Sequence, residues 1–112
     1  MTDMRISTRE LCDLTAITYR QADYWTRQGY LRAWPAGSGV RRFHPISELR
    51  VADALRQVLG AGCRAGYVVA ETIRRLPLGW AEPVLLDADG YQVADLEDAR
   101  YVVQPLTELA AA

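Results

Sequence analysis

The first third of the chain places apolar residues at helical spacing and predicts two short helices. The first is expected over residues 9–14, with Thr8 as its N-cap. The second is expected over residues 19–28, because Thr18 is a capping residue and Gly29 tolerates the left-handed conformation that ends many helices. Only a Thr-Ala-Ile turn separates them, so the pair has the dimensions of a helix-turn-helix.

The second helix is predicted to have one apolar and one polar side. Ala22 and Trp25 are three positions apart, so they share the inner face and Trp25 is expected in the core. Tyr24 is expected either in the core or at the surface with an accessible hydroxyl. The outer face then consists of Arg20, Gln21, Asp23 and Arg27.

A basic β-hairpin is expected to follow the second helix directly. Residues 30–34 and 40–43 favour two short strands. Gly37 and Gly39 supply the positive φ that a tight hairpin needs, and Pro35 keeps the ribbon from growing into a larger sheet. We call residues 32–43 the wing.

Two further apolar stripes predict a third and a fourth helix. The third is expected to start at His44 and Pro45 and to end at Gly60. Its apolar stripe is Ile46, Leu49, Ala52, Leu55, Val58 and Leu59. The fourth is expected over residues 65–76 and to end before Pro77, with Val69, Ile73 and Leu76 on its inner face.

Beyond Pro77 the pattern changes from helical to extended. Residues 83–93 are expected to form a hairpin around an Asp89-Gly90 turn, and residues 100–104 a third strand. These strands are apolar enough for two arrangements. They either cover the third and fourth helices of their own chain or pair across a dimer axis.

Charge divides the chain at the same place. Residues 1–75 hold twelve Arg and seven acidic residues, a formal charge of +5, whereas residues 76–112 hold one Arg and seven acids, a formal charge of −6. The chain contains no Lys. This asymmetry indicates that the basic part meets a polyanion, while the acidic part avoids it or binds a basic protein partner.

Length and composition favour one small domain with an extension, since the chain has 112 residues of which 50% are hydrophobic. Neither a signal peptide nor an apolar stretch long enough for a bilayer is expected. We therefore expect a cytoplasmic, nucleoid-associated protein without a membrane partner.

The chain offers little for metal binding or catalysis. Cys12 and Cys63 lack metal-ligand spacing, and His44 is the one histidine, expected to make local hydrogen bonds. We find no nucleophile with a neighbouring base and no glycine-rich phosphate loop. The expectation is a protein that is not an enzyme and has no metal or cofactor.

A short polar helix followed by a basic hairpin is typical of winged helix-turn-helix domains that bind duplex DNA. One helix fits the major groove, where Arg reads guanine and Gln reads adenine, and a hairpin lies on the backbone or in the minor groove. The fold class expected is mainly α: four helices plus a two-stranded wing, with a small C-terminal hairpin or three-strand extension. The candidate DNA-binding residues are Thr18, Tyr19, Arg20, Gln21, Tyr24, Arg27, Arg32, Ser38, Arg41 and Arg42.

Residues 6–76 resemble the DNA-binding domain of MerR-type winged helix-turn-helix regulators, especially a branch from actinobacteria and their phages. The resemblance rests on four stretches: Ser7 to Leu11, Thr18 to Leu31, Gly37 to Phe43 and Leu55 to Gly62. It implies a MerR-like DNA-binding domain over residues 1–76 and leaves residues 77–112 as an acidic, β-rich extension.

The chain departs from the family pattern in two places. Asp23 stands where most members have Arg, which puts one usual phosphate contact in doubt. Pro77 and Gly79 stop the fourth helix where members usually continue into a long dimerising helix. The family's dimer and its untwisting of the operator are therefore not implied.

The function predicted is sequence-specific binding of double-stranded DNA by a small transcriptional regulator, a repressor acting by occupancy. A homodimer is expected, with the C-terminal extension as one route to it. Two alternatives stay open. One is a DNA-architectural protein or a phage-type recombination directionality factor, and the other is a protein-interaction module that uses the acidic extension.

Overall fold

The computed structural model describes residues 4–35, 42–64 and 66–106. These residues form four helices and two small antiparallel sheets. In chain order the elements are β1 (Arg5–Ser7), α1 (Thr8–Thr15), α2 (Tyr19–Arg27), β2 (Trp34–Pro35), β3 (Arg42–Pro45), α3 (Glu48–Gly60), α4 (Tyr67–Arg74), β4 (Val84–Leu86) and β5 (Tyr101–Val103). Within this part of the chain no helix is long and apolar enough to cross a membrane.

The first helix begins one residue earlier than its sequence predicts. Its N-cap is Ser7, not Thr8, because Ser7 and Glu10 form a reciprocal capping box. The Glu10 amide donates to Ser7 Oγ over 3.1 Å, and the Ser7 amide donates to Glu10 Oε1 over 3.1 Å. Thr8 is left free to turn its hydroxyl inward, where it lies 3.0 Å from Nε2 of His44.

The turn between α1 and α2 depends on a left-handed residue. Ala16 has φ 60° and its amide donates to the Cys12 carbonyl over 2.9 Å, which closes α1. Ile17 follows and is buried, so the chain can restart at once as α2. The predicted pair of short helices joined by a tight turn is confirmed.

The sheet around the wing has three strands, not two. The strand order is β1-β3-β2, with β3 in the centre and both neighbours antiparallel to it. The expected strand over residues 30–34 is reduced to β2. Residues 30–32 instead hydrogen-bond elsewhere: the Tyr30 amide donates to the Trp25 carbonyl over 2.9 Å and the Arg32 amide to Glu48 Oε1 over 2.6 Å.

Helix α3 lies at the centre of the molecule and packs against α1, α4, β3 and β5. It starts at Glu48, because His44 and Pro45 belong to β3 and do not open the helix as predicted. Most of the predicted stripe is buried, namely Leu49, Ala52, Leu55 and Val58. Leu59 stays 38% exposed, and Ile46 lies before the helix at the edge of the core.

Helix α4 is shorter than predicted, since it runs from Tyr67 to Arg74. Val69 and Ile73 face the core as expected, and Leu76 packs against the core from beyond the helix end.

The C-terminal strands pair with each other and cover their own chain. Val84 pairs with Val103 and Leu86 with Tyr101, and all four side chains are buried in the same apolar core as α3. The Asp89-Gly90 turn forms as predicted, but the strand expected after it is reduced to one bridge, between Leu86 and Gln92. One face of each strand is thus buried within its own chain, which fits the self-packing alternative.

Candidate nucleic-acid interface

Helix α2 is held at its start by a capping box and underneath by two core side chains. The Gln21 amide donates to Thr18 Oγ1 over 3.0 Å, and the Thr18 amide donates to Gln21 Oε1 over 2.9 Å. On the inner face Ala22 is fully buried and Trp25 is 3% exposed, which confirms the prediction for Trp25. Since the capping box fixes the start of α2 and the two buried side chains fix its inner face, the short helix has a definite orientation.

The opposite face of α2 presents two tyrosines and two arginines to solvent. Tyr19 is 65% exposed and Tyr24 51%, so the surface alternative for Tyr24 is the correct one. Arg20 and Arg27 are also exposed, and both lie with Tyr24 around one shallow depression. Four of the predicted contact residues therefore share a surface.

Thr18 and Gln21 have a structural role as well as a predicted one. The side-chain oxygen of each is used in the capping box, so the Gln21 amide keeps its NH₂ group and the second lone pair of Oε1 for another partner. Bidentate reading of adenine needs both the oxygen and the nitrogen of that amide. Such a contact would require Oε1 to accept from the Thr18 amide and from adenine together.

Asp23, Arg27 and Arg42 form an ion-pair cluster between the helix and the wing. Asp23 Oδ2 lies 2.7 Å from Arg27 Nη2, one helical turn away on α2. Asp23 Oδ1 lies 2.9 Å from Arg42 Nη1, on β3. The cluster brings Arg42 beside the exposed face of α2, so charged side chains of α2 and β3 lie together there.

The base of the wing is fixed by a buried histidine. His44 Nδ1 lies 2.8 Å from the Arg32 carbonyl, which can only accept, so Nδ1 donates and the neutral ring accepts from the Thr8 hydroxyl at Nε2. Burial lowers the pKa of His44, and the Arg32 carbonyl and the charge of Glu48 oppose this only in part. The prediction of a local hydrogen-bonding role is confirmed.

A buried ion pair holds the same stretch of backbone from the other side. Glu48 is fully buried and accepts from the Arg32 amide and, over 2.7 Å, from Arg74 Nη2. Arg74 Nη2 also donates to the Tyr30 carbonyl over 2.7 Å. Burial alone would lower the pKa of Arg74, but the hydrogen bond and charge of Glu48, together with Glu71, raise it. The chain leaving α2 is thus tied to α4.

The remaining predicted wing residues divide into two groups. Arg32 has its backbone fixed as above while the residue itself is exposed. Ser38 and Arg41 lie outside the described residues, so the predictions for them stay predictions.

Two arginines near the N-terminus join this surface and were not predicted. Arg5 lies over the ring of Trp34, 4.5 Å from its centroid, and thereby covers the start of the wing. Arg9 is exposed in the first turn of α1 and lines one depression together with Tyr19 and Arg42. The capping box of Ser7 and Glu10 was the available signal, because it places Arg9 at a helix start.

The parts of the chain that the structure describes contain no group of three or more His, Cys, Asp or Glu side chains placed to hold a metal ion. Cys12 and Cys63 are free thiols in these parts. Burial, with a smaller contribution from Asp13, raises the pKa of Cys12, which makes its thiol less reactive.

No protein-family model matches the chain. It is 29% identical, over 101 residues, to proteins from Mycobacterium bovis and from two strains of Mycobacterium tuberculosis, each named an uncharacterized HTH-type transcriptional regulator. The match covers 85% of this chain and 44% of each relative, so the chain spans about half the length of the curated relatives it matches. The chain is therefore similar to part of these mycobacterial helix-turn-helix regulators, and its four helices with two small sheets are compatible with a winged helix-turn-helix fold.

Proposed function

We propose that this protein is a winged helix-turn-helix regulator of the MerR-like kind that binds double-stranded DNA. One observation supports this most strongly. The exposed tyrosines and arginines of α2 lie on one side of the helix, and Asp23 joins Arg27 on that side to the wing residue Arg42. The relatives' description as HTH-type transcriptional regulators supports the same assignment.

The proposed contacts follow from the width of the two grooves. Helix α2 enters the major groove, where Arg20 forms a pair of hydrogen bonds to a guanine edge. The hydroxyls of Tyr19 and Tyr24 donate to flanking phosphates. On the wing, Arg32, Ser38, Arg41 and Arg42 contact the backbone or the minor groove and supply affinity that depends on salt.

The proposed role is repression by occupancy of an operator. Helix α4 ends at Arg74, and the chain returns to its own core through β4 and β5. A body of this kind needs only to bind DNA in order to block another protein. A homodimer with two half-sites stays a prediction, which half-site spacing in a footprint would reveal.

The direct test is duplex binding over a range of salt concentrations. Genomic footprinting with the full chain identifies bound sites, and fluorescence anisotropy then compares one such site with a shuffled duplex. We expect tighter binding to the genomic site and a fall in affinity for both duplexes as salt rises. Absence of binding to every duplex at low salt would reject the proposal.

The same experiment separates the alternative functions. Single sites near promoters are expected for the regulator, whereas phased sites with strong bending would indicate an architectural protein. A chain that binds no duplex would leave the acidic extension as the functional surface. There Leu96 is 69% exposed between Asp95 and Glu97.

A further inference from the structure

Asp23 is an acidic residue on the face of α2 that is otherwise basic and aromatic. Its side chain is 38% exposed, and its two carboxylate oxygens are divided between two elements. One oxygen pairs with Arg27 within the helix and the other with Arg42 on β3. Arg20 lies in the first turn of α2. Among the described residues no carboxylate pairs with it.

We propose that Asp23 is a specificity-determining residue that holds the wing strand against α2 and withholds Arg27 and Arg42 from non-specific phosphate binding. This rests on the proposed function. Non-specific binding comes almost entirely from cations that replace counterions on the phosphates. A cation that already has a carboxylate partner gains less from a phosphate. Arg20, which has no such partner among the described residues, keeps its full interaction with a base.

The position of Asp23 explains why its effect is selective. The Asp23–Arg42 contact joins residues 19 positions apart, so it orients β3 relative to the helix and does more than lower the local charge. Both pairs are at the surface and therefore weak, so phosphates in the correct register can displace the carboxylate. On random DNA fewer phosphate contacts form at the same time, so they offset less of the free energy lost when the Asp23 ion pairs break. Discrimination between sequences therefore increases.

The test uses Asp23→Asn, which keeps the shape of the side chain and removes its charge. We expect affinity for a shuffled duplex to rise by roughly three- to tenfold at low salt, with a plot of log affinity against log salt steeper by about one unit. Affinity for the genomic site should rise less, so the specificity ratio falls. In an Arg42→Ala background the effect of Asp23→Asn should be clearly smaller, since the two residues act through one contact.

The matched control is Asp13→Asn. Asp13 is exposed on α1 and belongs to none of the ion pairs among the described residues, so this variant changes net charge equally. Equal gains in both variants would show a general charge effect and overturn the proposal. An unchanged specificity ratio in Asp23→Asn would overturn it as well.

A second measurement does not depend on DNA. Amide hydrogen exchange in β3 should be faster in Asp23→Asn than in the wild type or in Asp13→Asn, because the strand loses the ion pair that joins it to α2. If exchange is unchanged, Asp23 does not position the wing, whatever the DNA result. If the wild type binds no duplex while exchange responds, the proposed function fails and the positioning contact stands.

Discussion

At the scale of single residues, the two arginines on the exposed face of α2 have different surroundings. Arg27 is paired with Asp23, whereas the described residues provide no carboxylate partner for Arg20. An arginine with its full hydrogen-bonding capacity available is better suited to reading a guanine edge. The structure therefore ranks two residues that the sequence presents as equivalent.

Arg20→Ala is expected to weaken binding to the genomic site by about 1–3 kcal/mol while changing affinity for a shuffled duplex little. Arg27→Ala should weaken binding to the genomic site by a smaller amount and binding to the shuffled duplex hardly at all, because the ion pair with Asp23 withholds Arg27 from phosphates in the wrong register. Anisotropy titrations of both variants on both duplexes give the comparison. Equal losses of Arg20→Ala on the two duplexes would contradict a base-reading role.

Which residues form the outer face of α2 was predictable, because a cap, a glycine stop and the spacing of Ala22 and Trp25 are all local signals. The partner of Asp23 on the wing was not predictable from the sequence. Arg42 is 19 positions away, and no local pattern indicates which of several arginines meets a given carboxylate.

At the scale of elements, the position of the wing depends on the hydrogen bonds that hold residues 30–32 at its base. Residues 30–32 look like a strand in sequence, yet their polar backbone groups bond to Trp25, Glu48, His44 and Arg74. These partners come from four elements, α2, β3, α3 and α4. A buried backbone group must be paired, and here the Trp25 carbonyl and three long-range side chains supply the pairs that a neighbouring strand would otherwise provide.

His44 gives this arrangement a dependence on pH. Its folded pKa is lowered by burial, whereas the unfolded histidine titrates near 6.5. As pH falls below 6.5 the unfolded chain binds the proton first, so stability is lost between 6.5 and the lower folded pKa. From pH 7.5 to 5.5 the wild type should lose a few tenths to about 1 kcal/mol more than His44→Gln, measured by urea unfolding.

The glutamine variant is a suitable reference because it keeps one donor and one acceptor but does not titrate. Parallel pH curves for the two proteins would show that His44 does not contribute this dependence.

At the scale of the whole molecule, the acidic C-terminal segment and the basic helices share one core. Besides the pairing of β4 with β5, two hydrogen bonds join the Gln57 side chain to the Gln104 backbone. Gln57 Nε2 donates to the Gln104 carbonyl over 2.9 Å, and Gln57 Oε1 accepts from the Gln104 amide over 2.7 Å. The turn at Gly90 lies directly against α4. The opposite charges of the two parts therefore belong to one packed body.

Gly90→Ala should test how firmly the segment is attached. Gly90 has φ +89°, and a Cβ there would lie 2.9 Å from Cγ2 of Val69. We expect a loss of about 2–4 kcal/mol in the free energy of unfolding, from backbone strain and overpacking together. Gly79→Ala is the matched control, since Gly79 has φ +78° with nothing within 4 Å, and it should cost only about 1–2 kcal/mol.

Equal losses in the two variants would show that the turn does not pack closely on α4. DNA affinity should be unchanged in both, because neither glycine lies on the face formed by α2 and β3.

The sequence by itself determined the helices, their inner faces, the early basic surface and the turn at Gly90, because capping, helical periodicity and glycine conformation act over a few residues. Only the tertiary structure decided that β1 joins the wing sheet, that Asp23 meets Arg42, and that β5 packs against α3 of the same chain. Those contacts join residues far apart along the chain. Their partners are selected by burial and charge pairing in three dimensions, for which the linear pattern holds several equivalent candidates.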